Sequence, residues 1–296
     1  MASELEGRTA LVTGASKGGT GTAIALRLAA EGAAVAIVAR DEAGLESTAA
    51  QIRHVGGTAL VLPCNLADPD GGRDSLVGRT ESEFGGVDIL VNNAASNGYR
   101  PFTEWTPRQL EIAQQVNVWA PWQLMADAAR GMRARGRGWI VNLTSFAAEF
   151  PPGPPFSTSQ VAVGGSGYGS TKAALNRLTV SVAAEMYADG VAVNALAPQS
   201  AIATPFLLEQ GRLDPDRYEP METMAEAALA LATCDPSALT GRITRSLQLL
   251  VELDRPVRDL DGAELVEGWQ PGDLPAVISR QAALLEQSGW PQPFTD

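Results

Sequence analysis

Thr9–Gly32 reads TALVTGASKGGTGTAIALRLAAEG: a short apolar run, a turn holding Gly14, Gly18, Gly19 and Gly21, then a helical pattern starting near Thr20. A strand that feeds a helix through a glycine-rich turn is the first half of a βαβ unit. Gly14 permits the tight turn, Gly18 and Gly19 allow backbone to approach a phosphate beside Ser16 and Lys17, and Gly21 allows close helix–strand contact. Free N–H groups and the positive dipole end at the start of that helix suit an anion.

Working outward, the same rhythm continues. Apolar runs recur at Thr9–Val12, Ala34–Ala39, Ala59–Leu62, Val87–Val91, Trp139–Leu143 and Val191–Leu196, each bounded by Gly, Pro, Asn or Asp. Several are rich in Val and Ile without polar alternation, the texture of strands buried on both faces of a parallel sheet. Helix-length segments separate them; Leu175, Leu178, Val182 and Met186, for example, share one helical face. The alternation predicts an α/β, doubly wound parallel sheet (a Rossmann fold) in a single domain over residues 1–254. Two stretches break the pattern: a Pro- and Gly-rich insertion at about 146–165, and a C-terminal extension over 255–296. The extension is expected to pack on the domain or on a neighbouring subunit, with a helix over Pro275–Gln287, and Arg242–Leu250 reads as a last strand.

Composition narrows the function. The 22 basic and 34 acidic residues leave a net charge of −12, which argues against nucleic acid or an anionic membrane as partner. No apolar run reaches membrane-spanning length and the first residues are not a signal peptide, so the cytoplasm is the expected compartment. Cys64 and Cys234 stand far apart without companion ligands, and His54, the single histidine, reads as a solvated surface residue. Those residues leave no metal site and no Ser–His–Asp chemistry to argue for.

The second strand ends in Arg40 rather than in an acid. An acid there would accept from an adenosine ribose hydroxyl, whereas Arg40, with Lys17, would pair with a 2′-phosphate. NADP(H) is therefore favoured over NAD(H), although Asp41 follows directly and could reach the ribose. Further along, Tyr168 and Lys172 are four apart on one helical face. A nearby ammonium favours the phenolate, so the spacing predicts a lowered Tyr168 pKa. Of the 22 basic side chains only Lys17 and Lys172 are lysines, and both fall in these two motifs.

With these residues in order, roughly Gly7 to Leu250 resembles the short-chain dehydrogenase/reductase family. The matching elements are the Gly14–Gly21 loop, Asn92-Asn93-Ala94, Asn117, Ser145, Tyr168 with Lys172, and Val193-Asn194-Ala195-Leu196-Ala197-Pro198. The resemblance implies Tyr168 as general acid/base, Ser145 as donor to the substrate oxygen with Thr144 less critical, and Lys172 on the nicotinamide ribose. It implies Asn117 as holder of a relay water, Asn92 and Ala94 at the adenosine ribose, Asn65 and Leu66 at the adenine, and Pro198, Ile202 and Thr204 at the nicotinamide amide. It also implies a homodimer or homotetramer acting on a small carbonyl or alcohol. Departures are an extra residue in the glycine loop, which should bulge, Asn65 in place of Asp, and Gln199 in place of Gly. Ser145 and Tyr168 are 23 positions apart, about ten more than the family shows, so the insertion reads as a wall or lid of the substrate pocket or as an oligomer contact.

Phe102, Trp105, Phe146, Phe150, Phe156 and Phe206 fall near the expected substrate and suggest an apolar one. Two other functions remain open. Arg130, Arg133, Arg135 and Arg137 would suit a reductase of 3-oxoacyl thioesters on coenzyme A or a carrier protein, though basic residues also suit a helix C-terminus. A non-catalytic dinucleotide sensor would use the same fold.

Overall fold

Along each central strand, alternate residues belong to opposite cores. In β1 (Thr9–Thr13) Ala10 and Val12 face one core and Leu11 the other; in β2 (Ala34–Ala39) Val35 and Ile37 oppose Ala36 and Val38; in β4 (Ile89–Asn92) Ile89 and Val91 oppose Leu90. A sheet buried on both faces needs no polar alternation, which is why these segments read as continuous apolar runs. The structure, a computed structural model, describes residues 3–16, 18–151, 154–156, 165–211, 218–266 and 279.

The remaining strands are β3 (Thr58–Pro63), β5 (Gly138–Leu143), β6 (Val191–Ala197) and β7 (Ile243–Arg245). All pairings are parallel, in the order β3-β2-β1-β4-β5-β6-β7. One face is covered by α1 (Thr20–Ala30), α2 (Glu42–His54) and α8 (Met221–Thr233). The other is covered by α3 (Leu76–Phe84), α5 (Ala120–Arg135) and α6 (Ser166–Met186). Strand order reverses between β1 and β4, so a crevice opens beyond their carboxyl ends, the place where ligands bind in doubly wound sheets. α4 (Pro107–Gln114) follows β4 and begins with a reciprocal cap between Thr106 and Gln109 and a proline in its first turn.

The expected strands lie within two residues of the observed ones. The exception is the last: β7 stops at Arg245 and Ser246–Glu252 forms a helix, α9. Ser246 is drawn into a buried polar cluster there, and Leu247, Leu249 and Leu250 fill the core with helical spacing. Beyond α9, Arg255 pairs with Glu226 and Glu4, and Val257 and Leu260 pack on the core. The expected helix over Pro275–Gln287 lies outside the described residues, apart from Ser279. Among the described residues no helix is long and apolar enough to cross a membrane.

Candidate active site

The glycine turn is shaped by contacts a side chain would destroy. Gly14 has φ +72°, and a Cβ on Gly21 would lie 2.3 Å from Asn93 Nδ2 and 2.4 Å from the Gly14 carbonyl oxygen. Helix α1 is thereby pressed against the turn. Gly19 precedes α1 without a side-chain cap, and a Cβ on it would meet nothing within 4 Å. That is a cradle with open N–H groups and room for a phosphate. Lys17 lies outside the described residues, and with it the expected bulge; Gly18 beside it has φ +63°.

From this turn a cleft of about 640 Å³ runs across the switch point, lined by Gly14, Ser16, Arg40, Asn65, Leu66 and Ala94 among others. Asn92 is a correction. It is buried in β4 and donates from Nδ2 to Asn142 Oδ1 of β5 at 2.9 Å, its register partner, so it faces the neighbouring strand. Asn93 lines the cleft instead, donating to the carbonyls of Thr13 (2.9 Å) and Gly14 (3.1 Å). The signal was available: Asn142 on the adjoining apolar run is the polar partner that a buried Asn92 needs. At the far end Arg40 is exposed on the cleft rim, while the Asp41 carboxylate accepts from Gly44 N at 3.2 Å and caps α2.

The catalytic candidates converge where β5 meets α6. Ser145 follows β5 and accepts from Ala147 N at 3.2 Å. Tyr168 lies in the first turn of α6 with Lys172 one turn on, both buried. Lys172 Nζ donates to the Leu143 carbonyl at 2.6 Å and lies 5.8 Å from the Tyr168 ring centroid. Asn117 sits in a π-helical turn (Gln115–Trp119) joining α4 to α5. Its Oδ1 accepts from Ser96 N (2.8 Å), and its Nδ2 donates to Ser96 O (3.0 Å) and Thr171 Oγ1 (2.9 Å). Thr171 Oγ1 donates in turn to the Tyr168 carbonyl at 2.7 Å. Asn117 therefore locks the loop after β4 to the helix carrying Tyr168 and Lys172.

The lowered Tyr168 pKa expected from spacing is not found. Burial pushes the phenol well above its usual value, Tyr99 adds to this, and a hydrogen bond with Ser145 opposes it only in part. Lys172 fails to counter it because its ammonium is turned to the Leu143 carbonyl, and its own burial pushes it down to about 8. Tyr168 is thus held as a neutral phenol at neutral pH.

Tyr99 was not anticipated. Its ring meets that of Tyr168 edge-on at 5.6 Å, and its hydroxyl shares Ser145. A lone Tyr in a loop carries no spacing signal, so nothing in the sequence singled it out. Among the aromatic residues expected near the substrate, Phe102, Phe146, Phe150 and Phe156 are exposed; the Phe206 side chain is outside the described residues.

Ile202 and Thr204, expected on the nicotinamide side, also brace their own segment. Ile202 packs against the core and bridges Glu219, and Thr204 accepts from Leu207 N at 3.3 Å to cap α7 (Pro205–Gln210). Pro198 is half-buried just after β6. The segment is braced by Glu219, fully buried, which accepts from Ser200 N (3.0 Å) and Ser246 Oγ. Burial raises the Glu219 carboxyl from 4.5 to about 7. A raised folded-state pKa contributes stability that is full below the unfolded value and lost as pH rises through the folded one. Wild type should therefore lose up to about 3 kcal/mol relative to Glu219→Gln as pH rises from about 4.5 through about 7. Paired thermal melts across that range check it; parallel curves would reject the assignment.

The basic cluster is largely neutralised. Arg130 pairs with Asp127, Arg133 with Asp189, and Arg135 and Arg137 with Asp88. Among the described residues no cluster of His, Cys, Asp and Glu is able to hold a metal ion, and both cysteines are free.

Residues 8–211 match the family model described as short chain dehydrogenase. The chain is 34% identical over 232 residues to a fatty acyl-CoA reductase of Mycobacterium tuberculosis, covering 78% of this chain and 74% of that one. It is 35% identical over 248 residues to L-xylulose reductase of Bos taurus, covering 80% and 93%. A metagenomic short-chain oxidoreductase solved in complex with NADP superposes with a TM-score of 0.68 at 31% identity, covering 82% of this chain and 99% of that one. The fold and site define a dinucleotide-dependent oxidoreductase, and the chain belongs to the short-chain dehydrogenase/reductase family.

Proposed function

We propose that the chain is an NADP(H)-dependent oxidoreductase interconverting a ketone and a secondary alcohol. What carries this is the convergence of Tyr168, Ser145 and Lys172 at the end of β5, beside a cleft built at the switch point. The residues present fit a dinucleotide: the open cradle at Gly19 takes a pyrophosphate, and Asn65, Leu66 and Ala94 line the adenosine end. When bound, the nicotinamide supplies or accepts the hydride. Tyr168 donates the proton to the growing alkoxide and Ser145 donates a hydrogen bond to the same oxygen. Lys172, kept close by Leu143, would hold the ribose; Asn117 braces the neighbouring Thr171 and would hold a water that returns the proton from solvent. Pro198, Ile202 and Thr204 would hold the nicotinamide amide.

Arg40 decides the cofactor. It forms no ion pair with a described residue, whereas the Asp41 carboxylate is engaged in capping α2. Lys17 would add a second cation for a 2′-phosphate. A panel of ketones and alcohols assayed with NADPH/NADP and NADH/NAD in parallel tests the activity. Arg40→Ala should lower NADPH affinity by about tenfold or more, the worth of a charge-assisted contact, with little change for NADH. Equal effects on both cofactors would overturn the NADP(H) assignment.

The Mycobacterium relative is named for fatty acyl-CoA, and a 3-oxoacyl thioester is the second substrate class to assay. The carboxylates paired with Arg130 and Arg133 weigh against a docked carrier protein. The same proposal places the enzyme in the cytoplasm as a homodimer or homotetramer, an assembly that would cover Trp119 and Trp122, each about half exposed.

A further inference from the structure

The loop from β4 to α4 carries a cation beside the reacting tyrosine. Its first part is fixed by Ser96, hydrogen-bonded in both directions to Asn117. Tyr99 then lays its ring edge on Tyr168 at 5.6 Å. Arg100, the next residue, stacks its guanidinium 4.9 Å from the Trp105 ring centroid. Trp105 itself lies against the start of α6: a Cβ on Gly167, the neighbour of Tyr168, would sit 2.4 Å from its indole Cε2. The guanidinium is therefore fixed to a rigid aromatic platform on the flank of Tyr168.

Its polar edge is unused. Arg100 Nε is buried without a hydrogen-bond partner, and the guanidinium forms no ion pair with a described residue. This is unusual in a chain where carboxylates outnumber cations 34 to 22. Several half-buried and buried arginines follow the other pattern: Arg27 and Arg255 share Glu226, Arg245 binds Glu149, and Arg73 binds three oxygens. Arg8, stacked on Trp139 at 4.6 Å with Nη1 unpartnered, resembles Arg100 but lies at the opposite end of the sheet from Tyr168, beside Thr9 at the start of β1. The insertion holds one acid, Glu149, already paired with Arg245, and residues 150–165 contain none. A stacked guanidinium keeps its in-plane N–H groups pointing outward, and that fork matches a carboxylate.

We propose that Arg100 is an anion-recognising residue of the substrate pocket and that the enzyme takes a carbonyl or alcohol substrate bearing a carboxylate or a similar oxyanion. Tyr99 and Trp105 accept the apolar body of such a molecule, and Arg100 fixes its charged end, which sets the distance to Tyr168. The inference rests on the oxidoreductase assignment of the Tyr168 site and adds the charge of its substrate.

The test uses para-acetylbenzoate and its methyl ester, which present the same aryl ketone with and without charge, to the NADP(H)-loaded protein. Wild type should prefer the acid, and Arg100→Gln should lower the acid-to-ester ratio of kcat/KM by about ten- to a hundredfold, chiefly through KM. Arg100→Lys should restore part of that ratio. Calorimetric binding of benzoate against benzamide gives a readout that needs no turnover, and Arg100→Gln should lose the benzoate preference there too. Ester turnover with no acid preference in wild type overturns the anion site and leaves the oxidoreductase assignment standing. Failure to turn over any ketone or alcohol, with the benzoate preference intact and lost in Arg100→Gln, does the reverse. A preference that emerges only when the tail carboxylates Glu267 and Asp273 are replaced by Gln and Asn assigns Arg100 to the tail and overturns the proposal.

Discussion

Tyr168→Phe is expected to lower kcat by roughly a hundred- to ten-thousandfold, the usual worth of a positioned proton donor, while NADP(H) still binds. The substitution removes one oxygen and little else. The phenyl ring keeps its buried place and its edge contact with Tyr99, 5.6 Å between centroids. Ser145 loses one hydroxyl partner, a cost of about 1 kcal/mol, so the protein stays folded. A large loss in kcat with intact cofactor binding identifies Tyr168 as the proton donor. A protein that only senses the dinucleotide would have no turnover to lose, and the variant would match wild type in every assay. The direction of the Tyr168 pKa gives the prediction a further edge. Because burial raises it, the wild-type phenol remains protonated throughout the neutral range, which suits carbonyl reduction. Reduction should therefore show no loss near neutral pH from ionisation of Tyr168.

What was legible in the sequence follows from what leaves a local imprint. Strands buried on both faces must be apolar at every position, so Val35–Val38 or Ile89–Val91 announce themselves. Tyr168 and Lys172 are legible because a helix converts a spacing of four into proximity. Direction is not local. Spacing brought the Lys172 ammonium near Tyr168 but could not show that it turns to the Leu143 carbonyl, which comes from another element. Asn92 and Asn93 are adjacent and chemically identical; only the end of β4 decides which faces β5 and which faces the cleft. The role of Glu219 was equally hidden, since its partners Ser200 and Ser246 lie 19 and 27 positions away and meet only in the folded chain. Tyr99 and Arg100 sit in a loop whose shape is imposed by Asn117 and Trp105, so their importance is a product of tertiary contact.

Gly21→Ala and Gly19→Ala should separate the two duties of the glycine turn. At Gly21 the added Cβ would lie 2.3 Å from Asn93 Nδ2 and 2.4 Å from the Gly14 carbonyl oxygen. Two of the atoms concerned are also hydrogen-bonded to each other at 3.1 Å, so neither yields without breaking that bond. Overpacking and the lost bond together should cost on the order of 3 kcal/mol, lowering Tm by roughly 6–12 °C. Cofactor affinity falls as well, because α1 can no longer seat against the turn. At Gly19 the backbone is extended, with φ −88°, and a Cβ meets nothing within 4 Å, so alanine fits without strain. Its methyl group would instead stand in the space assigned to the pyrophosphate. Gly19→Ala should then keep the thermal stability of the cofactor-free protein yet weaken NADP(H) binding, read by calorimetry. If it binds NADP(H) as wild type does, the phosphate cradle lies elsewhere. If Gly21→Ala melts as wild type does, α1 is not held by the contact that Asn93 and Gly14 make with it.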